Sequence, residues 1–200
     1  MPNWCRNQIT IQSKDKKLIE GINNDLEGLN GKGLLHYMYP TPFELRDTTK
    51  GSHSVTNQKF IDKYGFDNWY DWALHNWDTK WDVDFELDFY DGDCIYAKSA
   101  ALLLEFNSAW SPPLAVWQKF VDRYPKGTFE VAHLQYIESG MQFCGVHDAL
   151  DNTKSVYVNN YVSDNTAITK GWLLDELEHD LEVIESFKRK EEEENNNETP

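Results

Sequence analysis

Between Asp82 and Phe89 the chain alternates without a break, setting Val83, Phe85, Leu87 and Phe89 against Asp82, Asp84, Glu86 and Asp88. A period of two belongs to a pleated strand and not to a helix, so this stretch reads as a strand with one face in a core and the other in water. Such a strand cannot stand alone. Its apolar face needs neighbouring strands and a covering layer of helices or a second sheet.

The rest of the chain supplies both. Gln8 to Ile11 alternates in the same way and reads as a first strand, and Ala101 to Phe106 as another. Phe129–Ile137 and Met141–Val146, joined across Glu138-Ser139-Gly140, read as a β-hairpin, with Ser155–Val162 as a further strand. Leu18, Ile19, Ile22 and Leu26 recur at helical spacing behind Ser13 or Asp15 as cap, which predicts a helix over 16–27. Ser111-Pro112-Pro113 opens a second helix, whose apolar face is Val116, Trp117, Phe120, Val121 and Tyr124. Shorter helical turns are expected around 58–64 and 68–76. The prolines at 40 and 42 make 34–42 read as a short extended piece followed by a loop. Trp172, Leu173, Leu177, Leu181 and Ile184 predict a last amphipathic helix over 171–190, and the glutamates and asparagines of 191–200 read as a disordered acidic tail.

Charge narrows the partners. The 200 residues carry 34 acids against 19 bases, a net charge of −15, which repels nucleic-acid phosphates, so no direct nucleic-acid contact is expected. Residues 171–200 hold eleven acids and three bases, and −7 remains on the first 170 residues. No apolar run approaches the ~20 residues that span a bilayer. The first residues lack a signal-peptide pattern. Cys5, Cys94 and Cys144 are an odd number without metal-type spacing, so the reading is a cytoplasmic chain without disulfides, metal or cofactor.

Four blocks carry a resemblance. They are Asn3-Trp4-Cys5-Arg6-Asn7, then Trp69-Tyr70-Asp71-Trp72 with Asn76-Trp77-Asp78-Thr79-Lys80-Trp81-Asp82, then Phe106-Asn107-Ser108-Ala109-Trp110-Ser111-Pro112-Pro113, and finally Tyr136-Ile137-Glu138-Ser139-Gly140 with Phe143-Cys144-Gly145. Together they resemble the YubB-like proteins of the Api type, a family encoded by bacteriophages and plasmids. The resemblance spans most of residues 3–146. It implies an α+β fold of the ferredoxin-like sandwich kind over 1–170, with an aromatic-rich insertion at about 34–81, and an origin on a mobile element. It implies no catalytic or binding residue. Asp78 stands where the Trp-Gly-Thr-Lys-Trp pattern has glycine, and the chain from about 171 lies outside the likeness.

Three groups of side chains could carry chemistry. Asp82, Asp84, Glu86 and Asp88 would project from one sheet face at roughly 7 Å intervals, with Asp91 and Asp93 beyond them. This stripe reads as a recognition surface for a host protein with a basic surface, as the solvated charge that keeps an edge strand from aggregating, or, with loop ligands added, as a cation site. Trp72, His75, Trp77 and Lys80 could line an aromatic pocket for a nucleotide-like small molecule, or could be core. Cys5 or Cys144 beside His75, His133 or His147 is the one set suited to nucleophilic catalysis, and no local motif supports it. There is no phosphate-binding glycine loop, His-Glu-x-x-His or dinucleotide fingerprint, so catalysis is not the favoured reading. The leading expectation is an accessory protein that binds and inhibits a host component, such as a defence or nucleic-acid-processing factor, through its acidic surface. The alternative is a small-ligand protein or enzyme that uses the aromatic pocket.

Overall fold

A computed structural model describes residues 3–49, 56–92, 98–163 and 171–197. Its centre is the ten-residue strand β1 (Trp4–Ser13), which pairs antiparallel with β3 (Ala100–Ala109) on one side and β4 (Val131–Glu138) on the other. Strand β2 (Phe85–Tyr90) adds to β3, while β5 (Phe143–Asp148) and β6 (Val156–Asn159) continue beyond β4. The result is an open six-stranded antiparallel sheet in the order β2-β3-β1-β4-β5-β6, and the chain is α+β.

The register sorts side chains onto two faces. Phe89, Leu102, Ile11 and Ala132 form one cross-strand row, and Leu87, Leu104, Ile9 and Leu134 form the next. Except for Phe89, which is exposed at the sheet edge, both rows lie under helices α1 (Lys16–Glu27), α2 (Leu34–Met38), α4 (Trp69–Trp77) and α5 (Leu114–Val121), whose buried Ile19, Ile22, Leu26, Leu35, Trp72, Trp77, Trp117 and Phe120 complete the core. Helix α3 (Gln58–Tyr64) adds Phe60 and Tyr64 at its margin. The largest single contributor is the fully buried Trp117, whose truncation to Ala would cost about 3–5 kcal/mol.

Among the described residues the opposite face is only half covered. Helix α6 (Trp172–Asn197) lays Leu173 and Leu177 on Ile137, Cys144 and Val158 of β4, β5 and β6, with Tyr161 completing a second, smaller core. Arg6 of β1 ties the helix down through Asp180, at 2.6 Å, and Glu176. At the β6 side, a Cβ on Gly145 would stand 2.4 Å from both the Tyr136 hydroxyl and the Val156 carbonyl, so only glycine fits between those strands.

Several expectations are corrected. Residues 34–38 are helical, not extended, because Gly33 takes a left-handed φ of 74° and the Asp82 carboxylate receives the first free N–H groups of α2. The strand expected from Asp82 begins at Phe85 for the same reason, since Asp82 is drawn to α2 before the ladder starts. Ser111 does not cap α5. Its hydroxyl donates to the Asp78 carbonyl, and the Asp78 carboxylate accepts Ala115 N–H at 2.6 Å. Helix α6 runs through Glu191–Glu194 to Asn197, past the 190 expected, because glutamate is a good helix former and extending an anchored helix needs no new nucleus.

Three of the four sequence blocks behind the resemblance are tied together by hydrogen bonds. Asn7 Nδ2 donates to Ser108 Oγ at 2.9 Å, Ser108 Oγ donates to Ser111 O at 2.7 Å, and Thr79 Oγ1 donates to Ala109 O at 2.9 Å. Asp78, in the glycine position of the pattern, adopts φ 61° and ψ 5°. Aspartate is among the few non-glycine residues that tolerate this region. These three blocks are therefore architectural, joining β1, the α4 terminus and the β3–α5 corner.

Candidate interaction surface

Among the described residues, the half of the sheet that α6 leaves open is formed by β2, β3 and β1. Glu86 and Asp88 project from β2, with Asp84 one alternation earlier, and all three are exposed. Glu86 stands directly opposite Glu105 of β3, which is also exposed. Like charges facing each other across a ladder oppose pairing. Among the described residues none of Asp84, Glu86 and Asp88 has an ion pair, and Glu105 is held only by Gln8 Nε2 at 2.8 Å. Lys32 faces Asp84 through a backbone bridge. The strand is an edge, and its first residues are covered by Gly31 and Gly33, through Phe85 N–H to Gly31 O at 2.9 Å and Gly33 N–H to Val83 O at 3.2 Å.

Asp82, expected as the first member of the stripe, borders the same surface, but its carboxylate is committed to backbone N–H groups. Its carboxylate accepts Leu35 N–H at 2.8 Å, Val83 N–H at 2.9 Å and His36 N–H at 3.2 Å. Desolvation pushes its carboxyl above the usual carboxylate range, against the pull of those three donors. Asp91 is exposed beyond β2, and Asp93 lies outside the described residues. No cluster of His, Cys, Asp or Glu suited to a metal ion occurs among the described residues.

The aromatic alternative dissolves into packing. Trp72 is 4% and Trp77 5% exposed, edge to face at 5.6 Å, with Tyr39 stacked on Trp72 and the Trp77 indole donating to Tyr39 O at 2.8 Å. They are corrected from pocket lining to core, because indole is the largest apolar surface α4 can bury. His75 is exposed and packs its ring on Phe66, while the Lys80 ammonium sits 3.8 Å above the Trp81 ring. The four residues do not converge.

The thiol and imidazole groups are also separated. Cys5 and Cys144 are fully buried, and burial pushes both thiols up, Cys144 to about 11. His133 contacts Asp148 at 3.3 Å, and His147 contacts Gln118 at 2.9 Å. Neither cysteine has a histidine placed to activate it.

One feature of this surface has no local signature in the chain. Trp4 and Trp81 are 51% and 42% exposed, with ring centroids 6.5 Å apart and planes tilted 41°. Trp4, Asp82, Asp84 and Asn107 line a hollow of about 390 Å³, and Asp84, Phe85, Glu86, Glu105, Phe106 and Asn107 line a second of about 360 Å³. The two share Asp84 and Asn107, so they form one groove that runs from an exposed indole to facing glutamates. Its lining comes from β1, β3 and β2 with its approach, segments far apart in the chain that strand pairing sets side by side. Among the described residues no helix is long and apolar enough to cross a membrane. No family model, curated protein or solved structure matches the chain.

Proposed function

We propose that this chain is a binding protein whose acidic open sheet face engages a basic surface on a host component and inhibits it, in keeping with the mobile-element origin that its resemblance to YubB-like proteins implies. A defence or nucleic-acid-processing factor would present such a basic surface, because its own ligand is a polyanion. The observation that carries this reading is the facing pair Glu86 and Glu105 with Asp84 and Asp88 beside it, exposed and without ion-pair partners among the described residues. Charges so arranged weaken the sheet slightly, yet raise the rate of encounter with a cationic surface. We also infer a ferredoxin-like core, which the chain order β1-α1-β2-β3-α5-β4 with strand order β2-β3-β1-β4 supports.

The test is affinity capture from bacterial lysate at low and high salt, comparing the native chain with an Asp84→Asn/Glu86→Gln/Asp88→Asn variant. Asp82 is left intact because it caps α2. A basic protein held by the native chain, released by salt and lost to the variant, is the expected result. Equal capture by both chains would remove the acidic face from the function. A variant that self-associates while keeping its partner would assign the charges to edge protection.

A further inference from the structure

The groove is more specific than a field of negative charge. At one end it is lined by the exposed Trp4 together with Asp82, Asp84 and Asn107, and Asp82 is already engaged by the N–H groups of Leu35, His36 and Val83. About one alternation further along β2 the walls become Glu86 and Glu105. An aromatic face with a carboxylate beside it is the environment that a cation on a flat delocalised group fills best, since the plane stacks on the ring while its edge hydrogen-bonds the carboxylate. The protein already shows the first half of that contact internally, with Lys80 over Trp81. Lys80 occupies Trp81, and among the described residues no cation lies over Trp4, which is 51% exposed.

We propose that the groove receives an extended, arginine-bearing segment of the partner, with one guanidinium stacked on Trp4 and paired to Asp84, and the arginine two residues away placed between Glu86 and Glu105. Alternate residues of an extended chain lie roughly 7 Å apart, the same interval at which β2 presents its carboxylates, so the two cations meet two acidic stations in register. Charge complementarity sets the sign of the partner, and the indole sets its chemistry as arginine rather than lysine. This rests on the basic-partner reading above and sharpens it to one contact.

The probes are three synthetic peptides: Ac-Ser-Arg-Val-Arg-Val-Arg-Ser-amide, its lysine counterpart, and an isomer with the three arginines consecutive. Each is titrated into ¹⁵N-labelled protein at low salt, following the Trp4 indole N–H. The alternating arginine peptide should shift that resonance saturably and bind about threefold to fivefold tighter than the lysine peptide and the consecutive isomer. Trp4→Ala should erase the arginine preference, Trp4→Phe should keep part of it, and Asp84→Asn should weaken binding about threefold to tenfold. Thermal melts confirm that each variant is folded. Three outcomes overturn the proposal: no saturable shift up to millimolar peptide, equal affinity for arginine and lysine, or no effect of Trp4→Ala in a folded variant. If all peptides bind alike and the triple acidic variant loses them all, the acidic-surface reading stands and the arginine groove falls. If the triple variant binds as well as the native chain, both fall.

Discussion

The Asp82 carboxylate accepts the backbone N–H of Leu35 at 2.8 Å across 47 residues of chain, and so fastens the start of α2 to the approach of β2. A five-residue helix has little stability of its own, and with Gly33 at its N-cap no side chain from its own segment caps it. Asp82→Ala should therefore cost about 1–2 kcal/mol, at the upper part of the range for lost caps because three N–H groups lose their acceptor. A chain of this length would lose about 2–4 °C in Tm for each kcal/mol. Asp82→Asn, which keeps one acceptor oxygen, should lose less. An unchanged melting temperature for Asp82→Ala would show that α2 is held by Leu34, Leu35 and Met38 alone.

Asp78 gives a pH signature. Desolvation raises its carboxyl above the ordinary range, and the Ala115 N–H and the Lys119 charge only partly offset this. For an acid whose pKa is higher folded than unfolded, the native state binds the proton more tightly. The stabilisation this gives is full below the unfolded value and fades as pH rises through the folded one. Asp78→Asn keeps an acceptor for Ala115 and tolerates the left-handed backbone, but removes the buried charge. The variant's advantage in Tm over the native chain should thus be largest near neutral pH and shrink as pH falls through the range just above ordinary aspartate. A difference independent of pH would mean that Asp78 is well solvated. Asp78→Ala, with neither the cap nor an easy φ of 61°, should be the least stable of the three.

What could be read along the chain was whatever is decided locally. Helix α1 carries its own apolar stripe and its own cap, with Asp15 accepting Leu18 N–H, and it spans the expected residues. Strands β1, β3, β4 and β5 announce themselves by alternation or by a turn. Helix α2 did not, because its cap comes from Asp82. The tryptophans divide for the same reason. Trp72 and Trp77 are covered by Tyr39 and by each other, whereas Trp4 lies beside Trp81 with half its surface exposed, and nothing in the residues beside an indole says which neighbours will arrive from other strands. The acidic alternation was legible as a stripe. Its facing Glu105, its Trp4 end and the departure of Asp82 depend on register and were not.

The buried thiols make a simple probe of the second core. With its thiol at about 11, Cys144 has roughly one thiolate per thousand molecules at pH 8, and Cys5 fewer, before any steric protection is counted. Iodoacetamide at pH 8, read out by peptide mass spectrometry, should label both at least about a hundredfold more slowly in the native protein than in the unfolded chain. Cys144 lies between β5 and α6, so rapid labelling there with Cys5 still protected would reveal the helix lifting from the sheet.

That lifting should be controlled by one carboxylate. Asp180 accepts from Arg6 Nη2 at 2.6 Å, from the Tyr161 hydroxyl at 2.8 Å and from Ser139, and it is buried where α6 crosses the sheet. Removing it takes away the carboxylate that accepts the Tyr161 and Ser139 hydroxyls and leaves Arg6 with Glu176 alone. Because Arg6 stays partly in water, the loss for Asp180→Ala should be about 2–3 kcal/mol, below that of a fully buried pair. Leu173 and Leu177 still favour docking, so the helix should open more often without detaching for good. Hydrogen exchange would then speed up about thirtyfold to a hundredfold in amides of residues 173–184, while those of Ile9 and Leu104 in the central strands keep their native rates. Acceleration in both regions together would show instead that α6 unfolds only with the whole sheet, and that the acidic open face and the helix-covered half behave as one cooperative unit.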